Sequence, residues 1–217
     1  MLDPQRTFVE PLLAWYEEDG REELPWREPD RTAFQVLVAE ILLQRTTAKA
    51  VVGAYRSFIA RYPTPEAVAA APMEEIEQRI APLGLVKRAE FIEQCALQLL
   101  DNHAGDVPRN LADLLALHGV GEYTAKSVLI HVDGFGVAAV DANVRRLLSR
   151  YFGLSPDAEA IESLADALAP TERSSDFQHA MLDFASDVCT ARSPQCESCP
   201  IGEACNSYNM TNEWGHK

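Results

Sequence analysis

Apolar residues recur along this chain at helical intervals, and the breaks between the runs fall on proline and glycine. Phe8, Leu12, Leu13 and the pair Trp15–Tyr16 mark one amphipathic helix, closed by Gly20. The stretch AFQVLVAEILLQR over 33–45 predicts a second, strongly apolar helix, and 47–61 a third. Proline turns at Pro63 to Pro65 and at Pro72 each open a shorter helix. A longer one is predicted over 86–102, ending near Gly105, and Pro108 and Asn110 lead into a short helix over LADLLAL. After HGVGEY comes TAKSVLIHV, stopped by DGFG. Further helices are predicted from Asp141 to Tyr151 and over 157–169 and 175–190. No run alternates with the period of a strand over a useful length, and there is no internal repeat or low-complexity tract. The predicted fold class is all-α.

A chain of 217 residues is long enough for one large domain or two small ones with a buried core, and 47% hydrophobic residues is a globular composition. No apolar run approaches the length of a membrane span. The N-terminus, MLDPQRTFVEPLLAWYEEDG, carries acids within its apolar stretch and no small-residue cleavage site, so a cytoplasmic location is expected. Charge complicates the choice of partner. The 19 Lys and Arg face 33 Asp and Glu, a net charge of −14, which argues weakly against nucleic acid. The acids are spread through EEDGREE, MEEIEQ and DAEAIE, in the manner of a salt-adapted surface, whereas bases gather at Arg45 and Lys49, Lys87 and Arg88, and Arg145, Arg146 and Arg150.

Four of the five cysteines change the picture. Cys189, Cys196, Cys199 and Cys205 are spaced C-x6-C-x2-C-x5-C, and in a cytoplasmic chain such clustering favours metal over disulfides. Four thiolates ligate either a [4Fe–4S] cube or Zn²⁺, and spacing by itself leaves both open. Cys95 lies inside a helical apolar pattern and reads as a buried core thiol.

Two further features carry chemistry. Residues 117–125, LHGVGEYTA, place two glycines between helices, and the amides that follow form a ready anion site, although G-x-G by itself is also an ordinary turn. About twenty residues on stands VDANVRR, in which Asp141 precedes a helix and could be no more than its N-cap. In the helix VLVAEILLQR, Glu40 is the one acid in an apolar run. Either that face is solvated, or the carboxyl is buried, where its neutral form is favoured and it could donate to a departing group.

Taken together, the cysteine spacing, the hairpin and VDANV resemble the helix-hairpin-helix DNA glycosylases of the endonuclease III and MutY branch. PRNLADLLALHGVGEYTA, ILLQRTTA and VDANVRRLLSRYFG look closer still to the archaeal G·T-mismatch thymine glycosylases of the Mig type. The resemblance runs from Pro25-Trp26-Arg27 to Cys205. It implies a [4Fe–4S] cluster on the four cysteines, structural rather than catalytic. It implies Asp141 as the catalytic aspartate, Glu40 in the base pocket, and Gly119, Val120 and Gly121 gripping DNA phosphate. Arg45 and Leu85 match the positions that insert into the DNA stack when a base is flipped out; GLVKRAE is one residue shorter than the endonuclease III loop. Trp26 either packs the base pocket or anchors the linker, and Lys87 and Arg145 are candidate DNA contacts.

The implied architecture is two-lobed. A six-helix lobe over 26–136 contains the hairpin, and residues 1–25 join 137–217 in a cluster lobe, with DNA and base pocket in the cleft. The implied reaction is hydrolysis of a base–deoxyribose bond in mismatched or damaged duplex DNA, by a monomer with no membrane role, the preferred base being thymine or uracil opposite guanine. Tyr123 stands where bifunctional relatives carry a lysine, so no lyase step is expected; Lys126, three residues on, is the nearest amine in sequence. An adenine glycosylase of MutY type is the first alternative; those enzymes usually carry a further C-terminal domain, whereas this chain ends twelve residues after Cys205. An endonuclease III-like lyase and a non-enzymatic iron–sulfur DNA-binding protein are the others.

Overall fold

The computed structural model describes residues 3–84 and 86–214, with side chains through Met210. Every regular element among them is helical, as expected: α1 (Glu10–Asp19), α2 (Ala33–Leu43), α3 (Ala48–Arg61), α4 (Pro65–Ala69), α5 (Met73–Ile80), α6 (Lys87–His103), α7 (Leu111–Ala116), α8 (Glu122–Asp133), α9 (Ala142–Phe152), α10 (Ala160–Leu168), α11 (Ser174–Asp187) and α12 (Asn206–Trp214). No helix among the described residues is long and apolar enough to cross a membrane. The chain divides into two compact units, Met1–Arg21 with Gly134–Lys217, and Glu22–Asp133.

The first unit packs α1 and α9 to α11 around Phe8, Leu12, Leu147, Leu148, Phe177, Met181 and Phe184, all essentially without solvent exposure. Its N-terminal helix begins unusually, with a π-helical turn over Gln5–Val9. Pro11 explains the local bonding: it has no N–H to return to the carbonyl of Thr7, and the Tyr151 hydroxyl donates to that oxygen instead at 2.7 Å. The C-terminal end of α1 is tied to α11, where the Arg21 amide donates to Asp183 Oδ2 at 3.0 Å. Helix α12 falls outside the sequence expectation, because NSYNMTNEW shows no apolar period.

In the second unit α2 is the inner helix. Thr32 and Gln35 close a capping box at its start, and every residue from Val36 to Leu42 is buried. A helix apolar on all sides must be covered on all sides, and α3, α6 and α8 pack against it. In the last turn of α8, His131 lies against Arg31 and Arg27. Burial first, and the two guanidiniums next, push its pKa from 6.5 down to about 3. The unfolded chain therefore binds the proton more tightly, so stability is fully present above about pH 6.5 and is lost as the pH falls toward 3. Thermal melts across that range should show a decline that His131→Gln flattens; identical slopes would mean another group titrates.

Candidate active site and iron–sulfur loop

Asp141 sits at the end of a short extended segment in the first unit, and the fold pins that segment from both sides. The buried amide of Gln178 accepts from Ala139 N at 2.9 Å and donates to Ala139 O at 2.8 Å, and Ala138 N donates to Asp166 Oδ1 at 2.9 Å. Asp141 then caps α9. Its Oδ1 accepts from Asn143 N and Val144 N, each at 2.8 Å, and its Oδ2 accepts from Asn143 Nδ2 at 2.9 Å. Three donors and the positive end of an eleven-residue helix hold one half-exposed carboxylate in a single orientation. The cap reading is thus correct as geometry, and it leaves a fixed anion reaching solvent.

Asn143 is held in its turn. Its Oδ1 accepts from Arg146 Nη1 at 3.0 Å, and the same guanidinium donates to Cys189 O at 3.2 Å and Ala185 O at 2.8 Å. One turn further along α9, Arg150 donates to Thr190 O at 2.7 Å and Ala191 O at 3.1 Å. Asn143, Arg146 and Arg150 lie at i, i+3 and i+7, one face of the helix. That face joins the Asp141 carboxylate to the backbone of the first cysteine. The spacing was legible in the sequence, but nothing there indicated what the face meets. Arg145 points elsewhere, with its guanidinium on Glu162 and on the Pro156 carbonyl.

The cysteine loop leaves α11 with Cys189 N bonded back to Phe184 O at 2.8 Å. Two 3-10 turns follow, Cys196–Ser198 and Gly202–Ala204, each delivering a cysteine, Cys199 and Cys205, as the next residue. All four thiols line one cavity of about 180 Å³, walled by Leu147, Tyr151 and Ile201. That is many times the roughly 10–15 Å³ a single water requires. A roomy, four-thiol, apolar-walled cavity fits a multi-atom cube better than one zinc. The donor chemistry agrees: burial, with the other thiols adding to it, pushes Cys199 up to about 11 and Cys196 upward. Thiols held protonated in this way become thiolate ligands when metal supplies the compensating charge.

In the second unit the hairpin joins α7 to α8. Gly119 has φ +78°, and a Cβ there would stand 2.7 Å from the Phe91 side chain of α6, so only glycine fits. Gln98 of the same helix accepts from His118 N at 2.6 Å and donates to Ala116 O at 3.2 Å. Val120 is buried, while Gly121 is exposed with open space where a side chain would be. This bare turn precedes the first amides of α8, the geometry an anion site requires. Tyr123 is partly buried in that first turn, and Lys126 Nζ lies 3.7 Å from Glu122 Oε1.

Glu40 is 8% exposed between Ala39 and Ile41, which removes the alternative of a solvated face. Trp26 is 6% exposed in the core, edge-on to Tyr55 at 5.5 Å. Arg45 follows α2 in the left-handed region at φ +56°, a conformation that costs a non-glycine residue about 1–2 kcal/mol, and its side chain is exposed. Lys87 is exposed at the start of α6. Leu85 lies outside the described residues; its neighbour Val86 is 49% exposed.

A glycine hairpin leading into α8, an aspartate that caps α9 and a four-cysteine loop define a known class. The chain belongs to the HhH-GPD superfamily of base excision DNA repair proteins, which residues 38–171 match, and residues 189–205, bounded by Cys189 and Cys205, match the iron–sulfur binding domain of endonuclease III. It is a DNA glycosylase with a [4Fe–4S] loop. The thymine/uracil-DNA glycosylase of Methanothermobacter thermautotrophicus is 36% identical over 210 residues, 94% of each chain. The adenine DNA glycosylase of Mycolicibacterium smegmatis is 37% identical over 194 residues, covering 88% of this chain and 66% of that one. The solved structure of a thermostable thymine-DNA glycosylase superposes with a TM-score of 0.88 at 35% identity, covering 95% of this chain and 97% of that one.

Proposed function

We propose that this protein, acting as a monomer on duplex DNA, hydrolyses the N-glycosidic bond of thymine or uracil mispaired with guanine and leaves an abasic site. The observation that carries the chemistry is the Asp141 carboxylate, oriented by three N–H donors at the start of α9. Departure of the base builds positive charge on the deoxyribose, and a preorganised anion stabilises that charge without reorganising. The same carboxylate directs or deprotonates the attacking water. Buried Glu40 donates a hydrogen bond or proton to the departing base. The Gly119–Gly121 turn and Lys87 hold phosphate, and Arg45 enters the stack beside the orphaned guanine. Cys189, Cys196, Cys199 and Cys205 would hold the iron–sulfur cluster, whose metal–thiolate bonds would organise the loop against α9. The preference for thymine or uracil over adenine rests on the thymine/uracil-DNA glycosylase, which matches across 94% of both chains, and on the ILLQRTTA and VDANVRRLLSRYFG segments.

The test is a panel of duplexes, each with one mismatch or damaged base, incubated with enzyme and then with alkali to reveal abasic sites. Cleavage at G·T and G·U supports the reading, and cleavage confined to adenine opposite guanine or 8-oxoguanine overturns it. Glu40→Gln should slow excision and change its pH profile, because an amide offers the departing base a hydrogen bond but no proton. An unchanged profile in pH–rate measurements would take Glu40 out of proton donation.

No strand cleavage should accompany base removal. A lyase needs an amine to form an imine with the sugar, and Tyr123 offers a phenol. The Lys126 ammonium stands beside Glu122. Borohydride should trap no enzyme–DNA adduct with the wild type and should begin to do so with Tyr123→Lys. An adduct in the wild type that Lys126→Ala abolishes would make the enzyme bifunctional.

A further inference from the structure

Arg88 is 2% exposed, the largest of the fully buried side chains, and it does not belong to the site as the sequence outlines it. Its Nη1 donates to Leu42 O at 2.8 Å and its Nη2 donates to Gln44 O. These carbonyls belong to the last turn of α2 and to the residue directly before Arg45. Helix C-termini leave carbonyls without intrahelical partners, and a cation there is favourable. A buried guanidinium is nevertheless a costly way to fill space, since an apolar side chain of similar volume does so without desolvating a charge. What the guanidinium adds is direction. Its planar fork holds two carbonyls at once, which an ammonium cannot match. Beyond the held carbonyl, the chain turns into the left-handed conformation of Arg45 at φ +56°. Gln44 extends the tie, because its Nε2 donates to Gly119 O of the hairpin at 3.0 Å.

From this arrangement we infer that Arg88 is a positioning residue for DNA insertion: through the Leu42 and Gln44 carbonyls it locks the turn that aims Arg45, and through the Gln44 side chain it sets that turn in register with the phosphate-gripping hairpin. The inference rests on the reading of Arg45 as the inserted residue. It adds that the aim of Arg45 is set from α6, by a side chain that touches no DNA.

The test is a double-mutant cycle in the intact, cluster-loaded protein, using G·U duplex under single-turnover conditions with 2-aminopurine beside the mispair to report unstacking. Arg45→Ala and Arg88→Lys should each slow excision on the order of tenfold and blunt the fluorescence rise together, and the double variant should be no slower than the worse single one. Multiplying effects, or an Arg88→Lys loss of rate with a normal fluorescence rise, would leave Arg88 a purely structural residue and overturn the inference. No effect of Arg45→Ala would instead remove the insertion role itself, and this inference with it. Should Arg88→Lys fail to melt cooperatively, Gln44→Ala, at a half-buried position, takes its place in the cycle. Non-additivity with Arg45→Ala then supports the coupling, and full additivity overturns it.

Discussion

Asp141→Asn loses about a hundredfold or more of the single-turnover excision rate while the protein still folds and binds mismatched duplex. The reason lies in which atoms the substitution changes. An asparagine Oδ1 continues to accept from Asn143 N and Val144 N, so the cap on α9 survives. The other oxygen becomes an NH₂ facing the NH₂ of Asn143, which cannot simply flip, because its own oxygen is taken by Arg146. One hydrogen bond is lost, costing about 1 kcal/mol of stability, and with it the anion proposed to balance positive charge on the sugar. Stability and turnover therefore part company in this variant, the first falling slightly and the second greatly. Stopped-time cleavage assays beside thermal melts decide it: near-wild-type turnover from a well-folded Asp141→Asn protein would reduce the residue to a helix cap.

Cys199→Ser abolishes the brown colour and the roughly four irons per chain expected of an intact cube, and damages folding or DNA binding more than the bond-breaking step itself. Cys199 follows the first 3-10 turn and shares its cavity with the other three thiols and with Leu147 and Tyr151 of α9. Without the cluster that cavity is a void inside the first unit, lined by thiols whose ionisation burial opposes. Metal binding and folding of the loop are then one equilibrium. Disorder in the loop also reaches Asp141 by a defined route, since Arg146 bridges Cys189 O and Asn143, and Asn143 holds Asp141. Iron analysis and visible absorption, read with DNA-binding isotherms, check this. A colourless, fully folded wild type holding one zinc per chain would overturn the cluster assignment.

Much of this was legible before any coordinates. Apolar spacing, with proline, asparagine and glycine breaks, located α1 to α11, because a helix that buries one face must repeat its apolar residues every three to four positions. The cysteine spacing bounded the metal loop, since short closures bring four ligands together whatever the rest of the chain does. Hairpin and VDANV marked the tight turn and the helix cap because both depend on local backbone, a positive φ at Gly119 and a cap at Asp141. Glu40 stood out as an acid in an apolar run, but whether its face was solvated or buried was decided only by the packing around α2.

The partners of these residues were not legible. Asn143, Arg146 and Arg150 share a helix face, but periodicity does not say that the face meets carbonyls some forty residues on; read as loose basic charge, Arg145, Arg146 and Arg150 are all engaged within their own unit. Gln178 pairs with the backbone of Ala139 across 39 residues, and Arg88, one of a surface-like Lys-Arg pair in sequence, is buried under the end of α2. The polar helix α12 had no apolar stripe to announce it. Local chemistry, set by neighbours within one or two turns, was written in the sequence. The orientation of charged side chains was decided by tertiary packing, because a guanidinium turns to whichever carbonyls the fold leaves without partners.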